Sequence, residues 1–228
     1  MMGMSVRGAW VVAMLCTVFP VSAHAEWYVA GHVGGAFPHA LTNVEEDRIP
    51  QPTTPSGTKA TDLSMSRSIM VGGKVGYFFE SIKWLGIEGE LYRYSPNFKQ
   101  QNVTETEPNG TTTTTNRPGW NHLVSTLALN VVTRLQLGQW EPYAGVGIAA
   151  VWQQWNMRHR ENIFFPLSIS SGRAGFNAEA GLRYRLQNHF ALLSEWKFNH
   201  VHSYFDSPAN VQGNFDMHFL TVGVGYHF

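Results

Sequence analysis

Charged side chains occupy alternate positions in several otherwise apolar stretches of this chain. Six cations and four carboxylates follow this pattern: Lys74, Arg134, Arg173, Arg183, Arg185, Lys197, Glu88, Glu90, Glu179 and Glu195. Since successive side chains of a β-strand point to opposite faces, we expect these charges to share one face and to leave the other face apolar. Inside a closed structure these cations and carboxylates would have to form ion pairs, because burying a charge without a partner costs several kcal/mol.

We predict that eight of these residues form an ion-pair network inside a barrel: Lys74, Glu88, Glu90, Arg134, Glu179, Arg183, Glu195 and Lys197. The interior of an eight-stranded barrel is just wide enough for its own side chains, so such a network would largely plug it and fix the strand register. The alternative is a gated polar pathway, in which exchange of ion-pair partners opens a narrow conduit. Small side chains at Gly145, Gly147 and Ala149 would leave some room for that conduit.

A possible nucleophile, Ser203, follows His200 and His202. Together with an acid, Asp206 or Asp216, these residues are the components of a hydrolytic triad. If the segment is a strand, however, His202 and Ser203 point to opposite faces, and neither histidine lies beside the serine. We therefore predict no catalytic residue and no enzymatic activity.

Divalent metal binding by His159, His200 and His202 is a weak alternative, because loop histidines without fixed spacing are usually only solvated. We predict no metal site and no cofactor. Arg158 and Arg160 flank His159 in a predicted loop, where two guanidinium groups could hold lipopolysaccharide phosphates bidentately; ordinary solvated loop charge is the alternative.

Eight segments show the alternating apolar pattern of β-strands. They are Trp27 to Gly35, Ser68 to Phe79, Trp84 to Tyr94, Trp120 to Leu137, Pro142 to Trp152, Arg173 to Leu186, Phe190 to His200 and Phe215 to Phe228. In the last segment Leu220, Val222 and Val224 occupy every second position. Because no helical segment is available to cover these faces, we predict an all-β, eight-stranded antiparallel up-and-down barrel whose apolar face meets lipid.

The connections between these segments alternate in length. Short turns at 80–83, 138–141 and 187–189 alternate with long segments at 36–67, 95–119, 153–172 and 201–213. This alternation is typical of short periplasmic turns and four long external loops, with both termini on the periplasmic side. Within the second long segment, the threonine run 111–115 is predicted to be flexible and exposed.

Aromatic residues are predicted to form a belt at each membrane boundary. The periplasmic belt comprises Trp27, Tyr77, Phe79, Trp84, Trp140, Phe190 and Phe228, and the outer belt comprises Trp120, Trp152, Trp155, Tyr204 and Phe215.

The N-terminal residues 1–25 are typical of a cleaved secretion signal. Arg7 precedes an apolar run from Ala9 to Phe19, and Ala23-His24-Ala25 matches a cleavage site. Cleavage before Glu26 would leave a domain of residues 26–228 and remove the single cysteine, so disulfide and thiolate chemistry are excluded. The formal net charge is zero, which argues against a nucleic-acid partner.

Four segments resemble the small outer-membrane β-barrel protein family of Gram-negative bacteria, related to the OmpA-like transmembrane domain. They are Trp27 to Gly35, Pro142 to Ala149, Ser194 to His200 and Asn214 to Phe228. The resemblance implies the cell outer membrane as location. It also implies that the terminal aromatic strand, with Tyr226 and Phe228, is similar to the signal read by the barrel assembly machinery.

These observations predict a non-enzymatic integral barrel with a structural or surface-interaction role. Its lumen would be largely plugged by side chains, and its partners would be outer-membrane lipids including lipopolysaccharide and an extracellular ligand of unknown identity. The alternative is a narrow porin-like channel for small solutes or hydrophobic molecules.

Overall fold

The computed structural model describes residues 26–46, 57–157, 167–186, 189–205 and 211–228, which form twelve β-strands. The strands are β1 Glu26–Pro38, β2 Thr42–Glu46, β3 Thr58–Ala60, β4 Ser68–Phe78, β5 Leu85–Tyr94, β6 Gln101–Thr106, β7 Thr112–Arg117, β8 Asn121–Arg134, β9 Trp140–Met157, β10 Leu167–Arg185, β11 Phe190–Phe205 and β12 Val211–His227. Within the described ranges, no helix has the length and hydropathy needed to cross a membrane. The predicted signal at 1–25 lies outside the described residues.

Eight of the strands form a closed ring in the order β1-β4-β5-β8-β9-β10-β11-β12. The ring closes because β1 pairs with β12 in a continuous antiparallel register from Tyr28↔His227 to Pro38↔Met217. Each ring strand is antiparallel to its neighbours, and the eight ring strands are arranged around the ring in the order in which they occur in the chain. The predicted eight-stranded antiparallel barrel is therefore confirmed.

The alternation of apolar and polar residues sorts the two faces of the ring as predicted. Leu129, Ile148 and Val222 are 58%, 69% and 61% exposed, and they belong to an apolar band around the outside. Their neighbours of opposite parity, such as Asn130 and Ala149, are buried. An exposed apolar belt on a closed barrel is the surface that contacts lipid.

Short connections join the ring strands at one end, called here the turn end, and long connections join them at the other, the loop end. At the loop end four strands outside the ring extend its wall: the pairing order β12-β2-β3-β6-β7 repeats the ring order β12-β1-β4-β5-β8. Isolated bridges between Leu41 and Leu63, between Met65 and Phe98, and between Phe98 and Trp120 join the segments that connect the extension with the ring strands.

The prediction of a flexible threonine run was wrong. Thr112 to Thr115 lie in β7 and pair with β6, where Thr114 opposes Thr104 and Thr112 opposes Thr106. Threonine is β-branched and suits a pleated strand, and the partner strand supplies the hydrogen bonds that an isolated run would lack. The side chains of 112–116 are exposed, as predicted.

Two further boundaries differ from the sequence prediction. Strands β9 to β12 extend past the apolar band at the loop end, so the third and fourth long connections shrink to 158–166 and 206–210, outside the described residues. Trp155 and Phe215, predicted for the outer aromatic belt, are buried inside, because their positions in the strands have inward parity. In the belt at the turn end, Trp84, Trp140, Phe190 and Phe228 are exposed.

Candidate functional site

The middle of the barrel interior holds two lysines among four glutamates. The Lys74 ammonium lies 3.0 Å from Glu88 and 3.3 Å from Glu179, and also contacts Glu195. The Lys197 ammonium lies 2.9 Å from Glu90, 2.9 Å from Glu179 and 3.1 Å from Glu195. Both lysine side chains are 0% exposed, so each ammonium group exchanges water for three carboxylates.

Tyrosine, threonine and histidine side chains also contact these carboxylates. The hydroxyl groups of Tyr28 and Tyr143 donate to Glu88 and Glu195, respectively, and Thr221 Oγ1 donates to Glu195 at 3.2 Å. His32 Nε2 lies 3.0 Å from Glu90 Oε1. The carboxylates are therefore held from several strands at once, as buried charged groups require.

Three of the carboxylates, on Glu88, Glu90 and Glu179, have oxygens within 4.8 Å of one another. This spacing is compatible with a metal ion, but the ammonium groups of Lys74 and Lys197 already lie among these oxygens. The cations of the cluster are therefore supplied by the protein itself.

A second charged layer lies toward the turn end. Arg134 forms a two-pronged pair with Glu26, with one contact at 2.8 Å, and its guanidinium lies 3.7 Å from the centre of the Phe78 ring. Arg183 lies 3.4 Å from Glu141 and 4.4 Å from the centre of the Tyr28 ring. Planar guanidinium groups can satisfy a carboxylate and a π-face together, which suits arginine to this layer.

The loop-end half of the interior is apolar instead of charged. The rings of Tyr92 and Tyr94 meet Phe219 edge-on, with centroids 5.4 and 4.9 Å away. The fully buried side chains around them include Ala36, Met70, Val124, Ala128, Val151, Val201, Phe215 and Met217. Sequence reasoning missed this layer, although Phe215, Met217 and Phe219 alternate with the lipid-facing residues of the same strand.

Gly145, Gly147 and Ala149, the small side chains of the predicted conduit, face occupied space. A Cβ atom on Gly145 would lie 3.1 Å from Glu179 Oε1, and one on Gly147 would lie 2.5 Å from Asn130 Oδ1. Ala149 is buried within the apolar layer. Asn130 Oδ1 in turn accepts a hydrogen bond from Asn177 Nδ2 at 3.0 Å.

His122 lies above the apolar layer, beyond the membrane-spanning part of β8, whose lipid-facing side chains begin at Leu127. Its ring packs 5.3 Å from Phe98 and 5.4 Å from Phe215. Burial lowers the pKa of His122 to about 3, and its hydrogen bond with Gln153 opposes only part of this effect. At neutral pH the histidine is therefore an uncharged ring packed between Phe98 and Phe215.

The side chain of Ser203 lies on the opposite face of β11 from those of His200 and His202. It is buried and accepts a hydrogen bond from Gln153 Nε2 at 2.6 Å, whereas His200 and His202 lie on the outer face of β11. Asp206 lies outside the described residues. The geometry therefore lacks the serine–histidine contact that a hydrolytic triad needs.

The remaining predicted residues are placed as follows. Arg173 is exposed at the loop end, with its guanidinium 5.3 Å from the centre of the Tyr204 ring; the expectation that it shares the interior with the other charges was wrong. Arg185 lies at the turn end, 2.6 Å from Glu141. Glu141 was assigned to a turn, but it is buried in β9.

Tyr226 and Phe228 lie at the turn end with their ring centroids 5.1 Å apart. Arg158 and Arg160 lie outside the described residues. On the lipid side of the loop end, Arg93 and Trp152 line a groove of about 360 Å³ together with Ser125, which pairs with both of them across the sheet.

Comparisons with known proteins agree on one architecture. The family model described as "Outer membrane protein beta-barrel domain" matches residues 11–228. The fold is similar to that of Neisserial surface protein A, with 12% identity over 89% of this chain and 97% of that chain and a TM-score of 0.58. A major outer membrane protein from Thermus thermophilus gives 13% identity over 90% and 99%, with a TM-score of 0.51.

The outer membrane protein OprG from Pseudomonas aeruginosa is also similar, with 15% identity over 90% of this chain and 96% of that chain and a TM-score of 0.50. No curated protein matches the sequence. At these identities the structural likeness concerns the fold alone.

Proposed function

This chain belongs to the family of outer membrane protein β-barrel domains, and from that premise we propose that it is a non-enzymatic barrel with a closed lumen that presents a structured extension at the cell surface. Residues 1–25 direct its export, and the loop end faces outward from a Gram-negative outer membrane. The role is structural and interactive: the barrel fixes the extension in the membrane, and the extension meets molecules outside the cell.

The main support for a closed lumen is that Lys74 and Lys197 are completely buried and that each contacts three carboxylates. In a water-filled pore these groups would be hydrated, as the polar interiors of porins are. The apolar layer around Phe219 adds a second obstruction on the loop side. A conduit would have to break several buried ion pairs and displace packed aromatic rings.

Conductance in planar lipid bilayers tests the closed lumen. We expect folded protein, verified by its heat-modifiable mobility in gels, to give no openings above baseline at moderate voltage. A general porin reconstituted in parallel is the positive control. Reproducible openings from folded protein would favour the narrow porin-like channel instead.

The extension formed by β2, β3, β6 and β7 supports the surface role, because it continues the barrel wall beyond the lipid-facing band. Removing the β6–β7 hairpin, residues 101–117, leaves every ring strand in place. We expect cells that express this deletion to insert the barrel normally. They should lack the adhesion or autoaggregation that cells acquire when they express the intact protein. Unchanged adhesion at equal surface levels would exclude the extension from that role.

Contact with lipopolysaccharide is proposed for the loop end. Arg158, Arg160 and Arg93 carry guanidinium groups, which bind phosphates through two parallel hydrogen bonds. Arg93 also lines the groove beside Trp152 on the lipid side of the barrel. Arg93→Ala, and separately the pair Arg158→Ala and Arg160→Ala, should reduce the lipopolysaccharide retained through purification. Lys99→Ala, at another exposed cation, is the control.

The aromatic end of β12 supports recognition by the barrel assembly machinery through Tyr226 and Phe228. Phe228→Ala should lower the fraction of protein inserted in cells while leaving refolding into detergent intact. Equal losses in both measurements would mean that the side chain serves stability alone.

A further inference from the structure

Two histidines lie two residues apart on the outer face of β11, on the side opposite to the charged interior. His200 is half-buried and His202 is exposed. Because residues i and i+2 of a strand share a face, with Cα atoms about 6.6 Å apart, the two imidazole rings project in the same direction.

Each ring is held by the residue directly opposite on β12. The register pairs His200 with Asp216 and His202 with Asn214. The Nδ1 atom of His200 is hydrogen-bonded to Asp216 Oδ1, and that of His202 lies 2.9 Å from Asn214 Oδ1. Two histidine–acceptor pairs, His200 with Asp216 and His202 with Asn214, therefore lie side by side on the outer face.

These bonds fix the tautomer of both rings. A carboxylate or amide oxygen can only accept, so Nδ1 must carry the proton, and in a neutral imidazole the lone pair then resides on Nε2. Orientation of a histidine by an oxygen acceptor on its other nitrogen is the usual outer-shell arrangement of metal-binding histidines in proteins. In its neutral form each ring therefore offers an Nε2 lone pair, while Nδ1 is held by its oxygen acceptor.

We propose that His200 and His202 bind one divalent transition-metal ion, Zn²⁺ or Cu²⁺, through their Nε2 atoms, with Asp216 and Asn214 as positioning residues. Imidazole nitrogen selects these ions over Mg²⁺ and Ca²⁺, which prefer oxygen ligands. The rings have to lean together so that each Nε2 lies about 2.0–2.1 Å from the metal, and water fills the remaining positions.

We do not include the neighbouring His218 as a third ligand. His218, the next outward residue on β12 beyond Asp216, stacks on Trp196 with ring centroids 5.7 Å apart, and its ring is tilted against those of Phe198 at 5.0 Å and His39 at 5.1 Å. Its ring is engaged with aromatic neighbours, so we assign the two ligands to β11 alone.

The test is titration of Zn²⁺ into the full-length, tag-free protein folded in detergent micelles, followed by calorimetry. We expect one Zn²⁺ per chain, no response to Mg²⁺ or Ca²⁺, and loss of the site in the variant with both His200→Asn and His202→Asn. Asp216→Ala should weaken binding by about tenfold or more, because it removes the outer-shell acceptor of His200. His189→Asn, at an exposed histidine of the turn end, should bind as the parent does.

A second measurement needs no variant. With one equivalent of Cu²⁺, the electron paramagnetic resonance spectrum should show coupling to two imidazole nitrogens. No Zn²⁺ binding by the parent protein, equal binding by the double variant, or a copper spectrum with one nitrogen or none would overturn the proposal.

Discussion

Replacing Lys197 by methionine tests whether the interior ion pairs hold the barrel together. The change removes an ammonium group that lies 2.9, 2.9 and 3.1 Å from Glu90, Glu179 and Glu195, and it keeps a flexible apolar chain of similar length in its place. The four glutamates of the middle layer are then left with Lys74 as the only remaining lysine among them. Uncompensated buried charge of this kind costs about 3 to 5 kcal/mol.

The assay is urea-induced unfolding of the barrel from lipid vesicles, followed by tryptophan fluorescence. We expect Lys197→Met to lower the free energy of unfolding by about 3 to 5 kcal/mol. Lys99→Met, at an exposed lysine, should change it by less than about 0.5 kcal/mol.

A double variant separates lost charge balance from lost packing. Adding Glu90→Gln to Lys197→Met removes one surplus carboxylate charge while keeping its shape, so part of the lost stability should return, with a coupling of about 0.5 to 3 kcal/mol. The reasoning is refuted if Lys197→Met costs no more than Lys99→Met, or if Glu90→Gln only adds its own penalty.

Three further predictions concern the lipid-facing side of the barrel, His122 at the loop end and the buried Ser203. Leu129→Arg places a cation in the lipid-facing band and should lower the free energy of unfolding in vesicles by about 2 to 4 kcal/mol. Thr133→Arg lies nearer the turn-end boundary and should lower it by about 0 to 1 kcal/mol. Equal losses would contradict the assigned depth of the two residues. Because the pKa of His122 falls to about 3 on folding, the opened state binds a proton at higher pH than the folded state does. The packing of His122 with Phe98 and Phe215 therefore contributes its full stability above about pH 6.5, and this contribution declines toward pH 3 by about 1.4 kcal/mol per pH unit. Amide hydrogen exchange at the loop end measures this decline, and His122→Gln should abolish it. Ser203→Ala should leave the acylation of lipid A unchanged by mass spectrometry, and a change in acyl number would reopen the hydrolase hypothesis.

The ring and its facing could be predicted from sequence because their signal is local. Alternation with a period of two assigns a face to each side chain whatever its partner strand, so the inward side of Lys74 and the outward side of Leu129 both followed from parity. The same rule placed Ser203 and His202 on opposite faces.

The extension could not be predicted, because its strands lack that signal. In β7 the residues Thr112 to Asn116 are exposed on both faces, so no alternation marks the strand. Glu141 was missed because a boundary error of a few residues turned a buried strand residue into a turn residue. The acceptors of His200 and His202 depend on the register between β11 and β12, which no single strand reveals.

The closure of the ring by β1 and β12 has a consequence for biogenesis. Tyr28 and His227 are paired neighbours near opposite ends of the described chain, so the cylinder cannot be completed until translation has passed its last strand. A partial sheet in hydrocarbon would expose unpaired amides on two margins, which the bilayer does not tolerate. The backbone amides of all eight ring strands are therefore paired only once β12 has joined β1.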